Sequence, residues 1–334
     1  MQRLAIAATV VGATIALALP IHAGDLTATP ASINGAVIRT SVPSGDAPPG
    51  VSPDVLYNPE TATYYLLTTA NPPVQYTSTD GVNWTGTQVA LPQGHDWSIV
   101  REGPSSYRLY YSESVPGAPG QGPTPPCTPG SKRLRYATST DMKTWVAQSQ
   151  ILLADVGCGV PHVMKTRDGR YFLYFNKREP VHGIYVGTSA DGLSWTIRDG
   201  LLANDPDLVD PAPIELPDGT FLMVGSTTGK GGYQELQLLS STDGLTWTKR
   251  KTDLYSAPGA SSLDPAIELI DGNLRVWFGY APGGDHQNSR IAYGTISLGN
   301  VTAAKGKKCS VKGAISGALI CKVVKGKSIW AALT

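Results

Sequence analysis

Short apolar and aromatic runs recur along the chain at near-regular spacing: Tyr64-Tyr65-Leu66-Leu67, Tyr107-Arg108-Leu109-Tyr110-Tyr111, Tyr171-Phe172-Leu173-Tyr174-Phe175, Phe221-Leu222-Met223-Val224 and Leu274-Arg275-Val276-Trp277-Phe278. Runs this short, framed by turn residues, predict β-strands rather than helices. Before each stands another short stretch and a turn, such as Asn58-Pro59-Glu60, Asp168-Gly169, Asp218-Gly219 or Asp271-Gly272. After each comes a third stretch: Gln75-Tyr76, Leu134-Arg135-Tyr136, Ile184-Tyr185-Val186, Leu236-Gln237-Leu238 and Ile291-Ala292-Tyr293.

A seven-residue corner closes four of these units. Ser78-Thr79-Asp80-Gly81-Val82-Asn83-Trp84 returns as Ser139-Thr140-Asp141-Met142-Lys143-Thr144-Trp145, Ser189-Ala190-Asp191-Gly192-Leu193-Ser194-Trp195 and Ser241-Thr242-Asp243-Gly244-Leu245-Thr246-Trp247. The tryptophans are 61, 50 and 52 residues apart, a period that marks a radial or solenoidal repeat. In each copy the Asp side chain can bond the backbone two residues on, and Gly accepts positive φ. In the fifth unit the corner has decayed to Ser297-Leu298-Gly299. Five four-stranded units predict an all-β, five-bladed β-propeller over residues 50–304, with a β-sandwich of repeated hairpins as the alternative.

Composition agrees: 37 Gly, 26 Pro and 16% charged residues suit many short strands joined by turns. A net charge of +1 excludes general attraction to nucleic acid or to a membrane surface. Residues 1–23 read as a signal peptide, with Arg3, an apolar run from Leu4 to Leu19 and the cleavage-like Ile21-His22-Ala23. The mature protein is then expected to be secreted, monomeric and free of the membrane. Residues 24–49 read as an irregular lead-in. Residues 305–334 are too few to own a core and read as a small hairpin stapled by Cys309 and Cys321, its lysines suiting contact with a cell wall or another surface. Cys127 and Cys158 flank the same repeat and are expected to pair, tying down its long Pro/Gly insertion. No C-x-x-C or His cluster suggests a metal site, and no cofactor is called for beyond room for a structural calcium ion in the propeller channel.

Antiparallel strand order puts the starts of first strands and the larger loops at one mouth, with the repeated corners at the other end. Asp54, His162, Asp210 and Asp264 belong to first strands and Asp96 stands just before one. Glu113, Arg178, Glu179, His182, Lys230, Glu235, Asp285 and His286 come from loops. Carboxylates converging on an axial funnel are how two-carboxylate glycoside hydrolysis is assembled. Asp54, Asp210, Asp264, Glu179 and Glu235 are the candidate catalytic residues. Trp97 and Tyr233, with His162, Arg178, His182 and His286, are the candidate substrate contacts, the aromatics for stacking on a sugar face.

The pattern of Pro-Asp-Val or Asp-Pro, then Asp-Gly-x-Tyr/Phe-x-Leu, then Ser-x-Asp-Gly-x-x-Trp resembles the five-bladed glycoside hydrolases of family 43, the arabinanase and β-xylosidase type, across about residues 50–300. That resemblance implies a base Asp on blade one, a second Asp that tunes pKa and a Glu acid from another blade, acting on arabinose- or xylose-containing polysaccharide. In Ser52-Pro53-Asp54, Ser52 stands where the base would fall. In Cys158-Gly159-Val160-Pro161-His162, Gly159 stands in place of the acid. Two readings therefore stay open, a glycosidase with a relocated acid and a non-catalytic propeller that binds glycan or a surface partner.

Overall fold

The computed structural model describes residues 26–116, 129–178, 180–230 and 232–299, together with the backbone of 315–316, 319–324 and 327–332. Thr29 and Ser32 form a reciprocal capping box and Pro30 supplies a helical φ, so the chain turns through a five-residue helix, α1 (Pro30–Asn34). A strand follows, β1 (Val37–Thr40). The irregular lead-in expected over 24–49 is thus corrected. Four residues, each at least partly exposed, carry no alternation from which a strand could be read.

Blade one is β2 (Val51–Asn58), β3 (Thr63–Thr69), β4 (Val74–Ser78) and β5 (Thr85–Gly86). Blade two is β6 (His95–Gly103), β7 (Ser106–Ser114), β8 (Lys132–Ser139) and β9 (Val146–Ala147). Blade three is β10 (Gly159–Lys165), β11 (Tyr171–Lys177), β12 (Gly183–Ser189) and β13 (Thr196–Ile197). Blade four is β14 (Leu208–Glu215), β15 (Phe221–Thr227), β16 (Leu236–Ser241) and β17 (Trp247–Lys249).

Blade five has β18 (Ala260–Ile270), β19 (Asn273–Pro282) and β20 (Arg290–Ser297), and takes its fourth strand from β1. Val37 lies opposite Ser297 and Thr40 opposite Gly294, so the start of the propeller closes its end. The fifth corner has decayed because no fourth strand follows it. A separate three-stranded sheet holds β21 (Ile315–Ser316), β22 (Leu319–Val324) and β23 (Lys327–Ala332), one strand more than the expected hairpin. Cys309 lies outside the described residues, and only the backbone of Cys321 is described.

The aromatic runs are the second strands, β3, β7, β11, β15 and β19. Each is flanked by strands of its own sheet and by neighbouring blades, so it is buried along most of its length rather than alternating, with Arg108 and Arg275 the charged exceptions. Five buried clusters fill the gaps between blades. Tyr65, Leu67 and Trp97 join blades one and two, for example, and Val224, Leu238, Val276 and Phe278 join blades four and five.

The corners lock these gaps. In all four the Asp carboxylate accepts from backbone N–H groups two and three residues on, at 2.7 to 2.8 Å. The backbone carbonyl at the next position then accepts from a side chain of the preceding blade. Trp277 Nε1 donates to Gly81 at 2.7 Å, Gln75 Nε2 to Met142 at 2.8 Å, Tyr110 to Gly192 at 3.0 Å and Tyr174 to Gly244 at 2.8 Å.

The lead-in is anchored on blade four as well as blade five, through Ala28 N–H to Thr220 Oγ1 and Lys251 N–H to Asn34 Oδ1, both at 2.9 Å. Ile33 is fully buried in the same cluster. Ile33→Ala is therefore expected to lower the unfolding free energy by about 2–5 kcal/mol in urea denaturation. A loss below about 1 kcal/mol would mean that this segment does not hold the ring closed.

Candidate active site

Every blade's first strand carries a bulge at the same place. The register slips between Val51 and Asp54, His95 and Ser98, Gly159 and His162, Val209 and Ala212, and Leu263 and Ala266. In each slip one residue has positive φ: Ser52 (49°), Asp96 (53°), Val160 (48°), Asp210 (54°) and Asp264 (48°). A bulge bends the strand and re-aims that side chain. The first strands are the edges of their sheets, so a proline there removes no ladder hydrogen bond. Pro53, Pro161, Pro211 and Pro265 follow four of the five positions, and Trp97 follows the other. The bulges floor a shallow pit with a cavity volume of about 10 Å³, room for about one water molecule and far below the ~300–1,000 Å³ of drug-sized sites. Ser52, Asp96, Trp97, Val160, His162 and Asp264 line it with the four prolines.

The Ser52 hydroxyl stands between two carboxylates, 3.2 Å from Asp96 Oδ1 and 2.8 Å from Asp264 Oδ2. Asp96 also accepts from Val160 N–H at 3.2 Å, and its Oδ2 lies 3.5 Å from Lys132 Nζ and 3.8 Å from His95 Nε2. Burial pushes Asp96 upward, but Lys132, His95 and the Val160 N–H outweigh it and hold the carboxyl below its ordinary range. It is ionised at neutral pH.

Across the pit the balance reverses. Asp210 is raised well above the ordinary value by burial and by the charge of Asp264, to which it is hydrogen-bonded. Asn176 Nδ2 donates to Asp210 at 2.7 Å, and Asp210 N–H returns a bond to Asn176 Oδ1 at 3.0 Å. Asp264 is also raised by burial, less so because it accepts from Asp210 and Ser52. The pair therefore holds one proton, carried by Asp210 and shared with Asp264, which faces the pit.

Asp54, grouped in the sequence with Asp210 and Asp264, is not their equivalent. It lies two residues past Ser52, in the same position as Ser98, His162, Ala212 and Ala266, and does not line the pit. It accepts from Ile99 N–H at 2.6 Å and lies 3.9 Å from His162 Nδ1. Burial raises Asp54 to about 8 and lowers His162 to about 4, so both are neutral at neutral pH. Glu268, on β18, is raised to about 8 by burial and by the Asp54 charge.

The remaining candidates separate. Trp97 is only 3% exposed and packs on Tyr111 at 5.7 Å, so it has no open face for stacking. Tyr233 is 42% exposed and keeps one, at the tip of the β15–β16 loop, beside Gln234, whose Nε2 lies 3.4 Å from Asp210 Oδ2. Glu235 is turned to Ser256 Oγ at 2.7 Å, and none of its hydrogen bonds reaches a ring carboxylate. Arg178 and His286 are exposed and His182 is half-buried. The charges of Arg178 and Lys230 add to burial in holding His182 down, and the charge of His286 acts on Asp264. Glu179 and Cys127 lie outside the described residues, whereas Cys158 is disulfide-bonded.

Sequence reasoning placed Asp96 before its strand and passed over Lys132. Without a proline at 97, the register that marks the other four positions was hidden. Among the described residues no group of three or more His, Cys, Asp or Glu is placed to hold a metal ion. The ring carboxylates, already bonded to Ser52, Lys132, Asn176 and one another, do not fit a calcium ion. No helix of the described residues is long and apolar enough to cross a membrane.

No family model matches the sequence, and no curated protein sequence matches it. Solved structures do match the fold. An endo-arabinase from Bacteroides thetaiotaomicron is 16% identical with a TM-score of 0.58, over 78% of this chain and 98% of that one. The α-L-arabinanase of Cellvibrio cellulosa, complexed with arabinohexaose, is 12% identical with a TM-score of 0.54, over 74% and 91%. An endo-1,4-β-xylanase from Bacteroides thetaiotaomicron is 15% identical with a TM-score of 0.55, over 79% and 97%. The chain thus shares the five-bladed propeller of the family 43 type that its motifs resemble.

The raised carboxyls fix a pH dependence. Asp54 and Glu268 hold protons in the folded state that the unfolded chain releases near pH 4. Their stabilising contribution is complete below about pH 4 and is lost as pH rises towards 8. Wild-type Tm should therefore fall more steeply from pH 5 to 8 than that of Glu268→Gln, the two curves separating by at least ~2–4 °C. Parallel curves would show that these carboxyls are not held protonated.

Proposed function

We propose that this chain is a secreted glycoside hydrolase acting on a polysaccharide, with Asp96 as general base and the Asp210–Asp264 pair supplying the acid proton. One observation carries the reading: two buried carboxyl centres flank Ser52, one with the Lys132 ammonium 3.5 Å away and held ionised by it, the other a carboxyl pair held protonated by burial and mutual repulsion. Hydrolysis by paired carboxyls needs one of each. The Ser52 hydroxyl, in contact with both, keeps Asp96 Oδ1 and Asp264 Oδ2 at most about 6 Å apart, under the ~6.5–9.5 Å that leaves room for an attacking water, so in this scheme substrate entry has to widen the gap.

In this scheme Asp96 takes a proton from the water that attacks the anomeric carbon. The shared proton passes from Asp264 to the glycosidic oxygen as its bond to that carbon breaks, and Asp210 is the proton reservoir behind it. Tyr233 offers the exposed ring on which a sugar can stack. The likeness to arabinanases and a xylanase makes arabinose- and xylose-containing chains the first substrates to try. Export through residues 1–23, disulfides Cys127–Cys158 and Cys309–Cys321, a monomeric state and wall contact by residues 305–334 belong to the same proposal.

A second reading, a non-catalytic glycan-binding propeller, is favoured by Ser52 and Gly159 standing where the resemblance puts the base and the acid. Hydrolysis of aryl glycosides and of wall polysaccharides separates the two. The enzyme reading expects reducing sugar from at least one substrate, falling ~100- to 10,000-fold in Asp96→Asn and in Asp264→Asn. Glycan binding with no hydrolysis on any substrate would leave the binding reading in its place.

A further inference from the structure

Lys132 opens β8 at the end of the long insertion and points inward, its side chain almost fully buried. Its Nζ donates to the Cys158 carbonyl at 2.7 Å and lies 3.5 Å from Asp96 Oδ2. That carbonyl belongs to a disulfide-bonded residue, whose N–H in turn donates to the Asn176 carbonyl on β11 at 2.9 Å. The ammonium is thus hung on a fixed point of blade three while reaching a carboxylate of blade two.

The next residue makes room for this. Gly159 has φ +87°, and a Cβ there would stand 2.8 Å from Asp96 Oδ2, 2.9 Å from Ser112 Oγ and 3.1 Å from Lys132 Nζ. No larger side chain fits unless the carboxylate and the ammonium both move. The space beside residue 159 is taken by Asp96 from the neighbouring blade, and Ser112 Oγ, fully buried and without a hydrogen-bond partner among the described residues, borders the same gap.

We propose that Lys132 is the positioning residue for Asp96, fixing where the blade-two carboxylate enters the pit through a gap that exists because residue 159 has no side chain. This rests on the reading of Asp96 as the base, and it explains why Gly stands at 159. Among the described residues the other charged or titratable groups facing Asp96 are His95 on its own strand and, across Ser52, Asp264.

The test is a carboxylate titration by NMR, which needs no turnover. In the wild type, Lys132 Nζ should report the same midpoint as the Asp96 carboxyl, a readout that no variant's folding can compromise. In Lys132→Met the proton affinity of Asp96 should rise at least ~10-fold, and Lys132→Arg should restore most of it. In kcat/KM the acid limb should move with the titration while KM changes little, whereas a merely structural lysine would lower Tm and leave the limb in place. An Asp96 midpoint unmoved in Lys132→Met, or a Lys132 Nζ signal blind to the Asp96 titration, would overturn the proposal. Absence of hydrolysis by the wild type would remove the assignment of Asp96 as base and leave the titration to decide its placement.

Discussion

Five residues in the left-handed region of backbone space, one per blade at the same step of the first strand, are the constraint on which the pit depends. For non-glycine residues such a conformation costs roughly 1–2 kcal/mol each. A residue before proline is pushed further towards negative φ, yet four of these five precede one. The strain persists because each bulge lies between a strand pairing on one side and close-packed blades on the other. Its return is geometric: adjacent strands that would otherwise alternate their side chains between neighbouring blades each turn one residue onto the axis. At an active site, strain of this kind is evidence for function when it is observed rather than assumed.

The ring also has to be held to a fixed circumference, since distances across the pit are set by how the blades pack. The corners do this locally, each blade's Asp-centred turn offering a carbonyl to the blade before it. Globally, β1 closes the last blade. Because every cluster of buried side chains is shared between two blades, a change in one interface is felt as a shift of two bulges, not one.

The architecture was legible because its signal is repetition: four near-identical corners and five aromatic strands cannot be arranged in many ways. What stayed hidden was whatever the repeat leaves unmarked. β1 pairs with a strand more than 250 residues away in sequence and has no pattern of its own. The replacement of the blade-one carboxylate was readable, since Ser52-Pro53 sits in register with the other X-Pro pairs. Asp96 was not, because Trp97 stands where the others have proline, and Lys132 reads as the end of a loop until the fold brings it beneath Gly159. Trp97 looked like a sugar platform for the opposite reason. An aromatic residue at a mouth-facing position has the right chemistry, and only its burial against Tyr111 rules the role out.

Identical backbone positions do not impose identical chemistry here. Asp96, Asp210 and Asp264 share φ within a few degrees and are all deeply buried, so burial alone would drive all three towards the neutral form. What separates them is the neighbour each blade supplies. Blade two's carboxylate meets an ammonium held on blade three, and blade four's meets another carboxylate on blade five. The propeller's symmetry brings three equivalent carboxyls towards one axis, and the departure from symmetry at Gly159 and Lys132 keeps one of them ionised.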